Sequence, residues 1–111
     1  MDKRAIRIRI SYERLEALQH ICTDMLALFT PDNEHEQLLC EHLLELKQKI
    51  QKLLQRSQYR YMLYLTNTEA MAFHQLWHEQ DLKHEPYHHI IVSSVVAHIE
   101  IYGKKNIFIK H

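Results

Sequence analysis

Residues 4–10 alternate without a break, Ile6, Ile8 and Ile10 on one side and Arg7 and Arg9 on the other. That period of two predicts a half-buried β-strand. Ser11 follows as an N-cap, because its side-chain oxygen can accept from a backbone N–H of the first helical turn. From there Leu15, Leu18, Cys22, Met25 and Phe29 step by three and four, with Ile21, Leu26 and Leu28 widening the stripe, so a helix is expected over 12–29.

Thr30-Pro31 reads as the next start, Thr as cap and Pro at the first helical position. Leu39, Leu43, Leu46, Ile50 and Leu53 then repeat the same stepping to about residue 57. Two helices with leucine-rich stripes and a short connection predict an antiparallel hairpin packed in the manner of a coiled coil. Tyr59–Thr66 alternates again, with Tyr59, Tyr61, Leu63 and Leu65 facing one way and Arg60, Met62 and Tyr64 the other. Thr66 with Glu69 forms a capping box, and Ala70, Met71, Phe73 and Trp77 carry a third helix to about Gln80.

Residues 86–103 admit two readings. The wealth of Ile and Val favours a strand, with 97–102 and 107–110 as a hairpin around Gly103 to Asn106. As a helix, the segment lines up Ile91, Val95, His98 and Tyr102, with Ile90, Ser94, Ala97 and Ile101 beside them, and Pro86 and Gly103 stand at start and stop positions. A parallel elsewhere in the chain favours the helix. Strand, cap and helix recur at an offset of 55 residues, and Pro31 and Pro86 share that offset. The halves have almost no residues in common, so the recurrence is one of pattern rather than identity. Residues 106–110 complete the pattern with a short strand.

The fold class expected is therefore α+β, with two strand-helix-helix units, a possible pseudo-repeat, followed by a C-terminal strand. A long antiparallel helical hairpin packs on one face of a small antiparallel sheet. Its 111 residues suit one domain spanning 1–111, and one Gly with two Pro argues for long regular elements and short connections. No apolar run has signal-peptide or membrane-span length, which makes the cytoplasm the default location and excludes a membrane partner. Cys22 and Cys40 fall on helical apolar or boundary positions and read as small packing residues.

Net charge is zero, but its distribution is uneven: residues 1–9 carry +3, 13–45 carry −7, 47–60 carry +5, 69–100 carry −4 and 104–110 carry +3. Part of this suits helix dipoles, with Lys47, Lys49, Lys52 and Arg56 near a helix end and Glu13 and Asp32 to Glu36 near helix starts. The rest leaves a candidate interaction face, Arg7, Arg9, Arg60 and Tyr64, with Lys104, Lys105 and Lys110 nearby. Arginines beside an exposed ring can meet phosphates and stack on bases. Overall neutrality speaks against dedicated nucleic-acid binding.

Ten histidines are the compositional outlier, and six of them lie between residues 74 and 98. His74 and His78, four apart on a helix, are the metal candidates, although a third ligand at fixed spacing is missing and His78 to Leu82 is not an HExxH motif. Nothing in the chain pairs a nucleophile with a base, and a single glycine cannot build a phosphate loop. Neither an enzyme nor a cofactor is expected. The foremost expectation is a protein-protein interaction or assembly module acting as a homodimer, because a short sheet leaves pairing edges and the leucine stripes look larger than one hairpin must bury. A nucleic-acid-associated accessory protein and a metal-binding protein stand as alternatives.

Overall fold

The computed structural model describes residues 6–79 and 86–106. Its elements run β1 (Ile6–Ser11), α1 (Tyr12–Leu28), α2 (Glu34–Leu54), β2 (Arg60–Leu65), α3 (Asn67–Glu79) and α4 (Pro86–Asn106). The chain is α+β, and the order strand-helix-helix occurs twice. The last strand expected over 106–110 cannot be followed: Asn106 closes α4, and 107–110 lie outside the described residues.

β1 and β2 pair antiparallel in the register Ile6 with Leu65, Ile8 with Leu63 and Ile10 with Tyr61. All six of these side chains are buried against the helices. Tyr59, expected on the same face, precedes β2 and is 95% exposed. α1 and α2 form the predicted hairpin, α3 packs on α2, and α4 lies against α1 and β1. One core joins all six elements, with Leu15, Ile21, Leu43, Leu63, Phe73 and Ile99 fully buried within it. The radius of gyration, 13.4 Å, is that of a compact chain of this length, about 13 Å.

Ser11 caps α1 as expected, its hydroxyl accepting from the Arg14 N–H at 3.4 Å. α2 does not start at Thr30-Pro31. Asn33 is its cap, with Oδ1 accepting from the Glu36 N–H at 2.9 Å, while Glu36 Oε1 accepts from the Asp32 N–H at 2.8 Å. The residue before a proline is pressed into extended backbone, and two antiparallel helices need a few such residues to reverse direction. Pro31 therefore serves the connection. The second helices of the two units are out of step in consequence, since Pro86 opens α4 and Pro31 precedes α2.

The leucine stripe of α2 is consumed within the chain: Leu39, Leu43, Leu46 and Ile50 are all buried and Leu53 partly so. Of the apolar residues assigned to the α1 stripe, Leu28 is 66% exposed. α4 is a helix, and it continues through Gly103 to Asn106. Its buried stripe is Ile91, Val92, Val95 and Ile99 rather than one that includes His98, which is exposed with Nδ1 2.8 Å from the Ser94 carbonyl oxygen. No described helix is long and apolar enough to cross a membrane.

Glu69 is the buried charged residue of the described core, 5% exposed. Its Oε1 accepts from the Thr66 N–H at 2.9 Å and from Lys49 Nζ at 2.6 Å, while Thr66 Oγ1 accepts from the Glu69 N–H at 3.2 Å. The capping box read from sequence is thus present, with a lysine of α2 added to it. Replacing Glu69 by Ala leaves a lysine without its carboxylate and strands an N–H, so Glu69→Ala is expected to cost about 3 kcal/mol in urea unfolding. Thr66→Ala, which removes one cap acceptor, is expected to cost about 1 kcal/mol. A Glu69→Ala loss no larger than that of Thr66→Ala would show that Lys49 adds nothing to the cap.

Candidate functional site

Strand alternation that sends three isoleucines inward from β1 sends Arg7 and Arg9 outward, and the same alternation in β2 turns out Arg60, Met62 and Tyr64. The register places Arg7 opposite Tyr64, Arg9 opposite Met62 and Ser11 opposite Arg60. Directly opposed residues have Cβ atoms about 5 Å apart, so these side chains form one continuous surface on the sheet. Arg7, Arg9 and Arg60 are exposed, Tyr64 is 48% exposed and Met62 is partly buried. All four residues expected on the face are brought together.

None of the three arginines makes an ion pair with a described residue. A guanidinium offers five N–H donors in a planar fork that matches carboxylates and phosphates. The open face is therefore cationic, with an aromatic ring at one end. Its backbone is anchored from behind, because Lys49 Nζ also donates to the Tyr64 carbonyl oxygen at 2.7 Å. Lys104 and Lys105 belong to the last turns of α4, but their side chains, and all of Lys110, lie outside the described residues.

Sequence reasoning missed a groove of about 540 Å³ at the end of the sheet, lined by Tyr12, Leu54, Arg56, Tyr59 and Tyr61 among others. The Tyr61 hydroxyl fixes its wall, donating to the Arg56 carbonyl oxygen at 2.5 Å and accepting from the Gln58 N–H at 3.3 Å. The Tyr12 ring lies 6.3 Å from that of Tyr61, tilted by 42°. The signal was three tyrosines at residues 12, 59 and 61, and only the strand register brings the first to the others.

The described histidines do not converge. His74 Nε2 lies 3.2 Å from Glu100 Oε2, tying α3 to α4, and His42 Nδ1 lies 3.2 Å from Glu45 Oε1 on α2. Among the described residues no three His, Cys, Asp or Glu side chains stand close enough to hold a metal ion. His74 is therefore engaged across helices, and the side chain of its candidate partner His78 lies outside the described residues, as do His84, His88 and His89. Comparison of the chain with protein-family models, curated proteins and solved structures finds no significant match.

Both cysteines are free thiols. Burial pushes the Cys22 thiol up to about 12, against a small opposing pull from Lys47. Cys40 lines a groove of about 430 Å³ between α1 and α2 with Leu26, Ala27 and Leu44. Partial burial, with Glu36 and Glu41 adding to it, raises its pKa as well. A raised pKa means less thiolate at any given pH, and thiolate is the reactive form. At pH 7.5 a disulfide reagent such as DTNB is expected to label Cys40 several-fold more slowly than free cysteine, and Cys22 only on unfolding. Rapid labelling of two thiols in the native protein is the contrary result.

Proposed function

We propose that the chain is a small protein-protein interaction module that self-associates as a homodimer and receives an acidic segment of a partner protein on its open sheet face. The observation that carries the partner reading is the set of three exposed arginines, Arg7, Arg9 and Arg60, without a described carboxylate partner. Charged groups that are not used inside a fold raise association rates and choose partners by complementarity. Met62 and Tyr64 between them supply apolar contact, and Tyr and Arg are the residue types over-represented where interfaces concentrate their binding energy.

Tyr64 opposite Arg7 favours a second reading, single-stranded nucleic acid, since a ring beside a guanidinium suits both a base and its phosphate. One titration separates the two. Fluorescence anisotropy with a fluorescein-labelled 20-residue polyglutamate and with a labelled 20-mer of polyuridylate, both at 25 mM salt, measures each ligand directly. Tighter binding of the peptide is expected, lost at least tenfold in Arg7→Glu/Arg9→Glu/Arg60→Glu. Tighter RNA binding, with a log–log salt slope of roughly −2 for three phosphate contacts, gives the surface to nucleic acid. If neither probe binds, or if the triple substitution changes nothing, the face is an ordinary solvated surface.

A further inference from the structure

The groove at the end of the sheet has no acidic residue in its lining, and the fold does not use all of the rings that line it. Tyr61 is buried, and its hydroxyl, bonded to both Arg56 and Gln58, makes one wall rigid. Tyr12 is 42% exposed, and Tyr59, at 95%, is the most exposed large hydrophobic side chain described. The volume of about 540 Å³ lies within the roughly 300–1,000 Å³ of preformed binding pockets.

Chain order joins this groove to the arginine face. Ser11 and Arg60 are the last pair of the strand ladder, and Tyr12 follows the one while Tyr59 precedes the other. Arg56, in the lining, and Arg60, beside it, are both exposed and make no ion pair with a described residue.

We infer that the groove holds an uncharged aromatic side chain of the acidic partner segment, a tryptophan or tyrosine whose neighbouring carboxylates meet Arg56 and Arg60. The inference rests on the partner reading proposed above and gives that segment an anchor. Charge decides what goes inside. α2 closes at Leu54, which lines the groove, and the last carbonyls of a helix carry roughly half a negative charge. A carboxylate or phosphate pushed into the groove meets that end, whereas a neutral ring does not and finds the Tyr12 and Tyr59 rings to pack against. The acids then stay outside, where exposed guanidinium groups receive them. Rigid aromatic residues seated in a preformed pocket are the side chains on which interfaces concentrate their binding energy. A nucleic acid fits less well, because it presents a ring with every charge, while here one cluster of rings stands at the end of a row of arginines.

Fluorescence anisotropy at 25 mM salt tests this by comparing a fluorescein-labelled 20-residue polyglutamate with the same peptide carrying one central tryptophan. Far-UV circular dichroism checks that each variant stays folded. The tryptophan is expected to tighten binding at least tenfold. Tyr12→Ser/Tyr59→Ser is expected to abolish that gain while leaving polyglutamate affinity within twofold of the wild type. Tyr59→Ser alone, at a side chain the core does not use, is expected to remove at least threefold of it. Equal binding of the two peptides, or a gain that survives both variants, overturns the anchor and leaves the acidic-segment reading standing. Failure of both peptides to bind overturns the two together. A labelled 20-mer of polyadenylate that binds more tightly than the tryptophan peptide, and loses that affinity in Tyr59→Ser, gives the groove to a base and overturns the anchor.

Discussion

Two strands separated by residues 12–59 must find each other, and neither can stand without a helix over it. An isolated two-stranded sheet is marginal in water even when a tight turn joins its strands. Here closing the intervening chain adds an entropic cost, and what offsets it is the apolar ladder Ile6–Leu65, Ile8–Leu63 and Ile10–Tyr61 buried beneath the helices. Every helix serves that ladder. α1 and α4 lie over β1, while α2 and α3 flank β2. Because the ladder uses one face of a two-stranded sheet, the other face is left to solvent, and the arginines there are a consequence of the same alternation that built the core.

The junction around Glu69 converts this packing into a fixed geometry. Hydrophobic burial is not directional, so by itself it would tolerate sliding of α2 along β2. Lys49 removes that freedom by donating at once to the end of β2, through the Tyr64 carbonyl, and to the start of α3, through Glu69. A buried carboxylate is costly unless its charge is met, and this one receives a cap N–H and an ammonium, both at Oε1. The Tyr64 end of the sheet is therefore tied through Lys49 to the start of α3.

Legibility in the sequence followed locality. The alternation of β1, the Ser11 cap and the Thr66–Glu69 box depend on residues at most a few positions apart, and each is found as read, while β2 keeps its alternation but begins after Tyr59. The start of α2 was obscured because Thr30-Pro31 and Asn33-Glu36 are both valid local signals, and the need to turn the chain between α1 and α2 chose the second. Lys49 reaching Glu69 and Tyr12 reaching Tyr61 are contacts set by tertiary register, for which short-range spacing carries no sign. The candidate face itself was legible, since outward residues of a strand are fixed as soon as the inward ones are.

α4 marks where reading by periodicity fails for a physical reason. The method needs a contrast between faces, and residues 90–101 offer almost none, so the inward side had to be chosen by fit rather than by polarity. Placing Ile99 inside turns His98 out, where its ring meets the Ser94 carbonyl, and leaves Ile101 in solvent. Turning the helix to bury Ile101 would expose Val92 or Ile99 instead. The exposure of Ile90 and Ile101 is thus a consequence of the sequence of α4, which carries isoleucine on its outer side as well as at the buried positions 91 and 99.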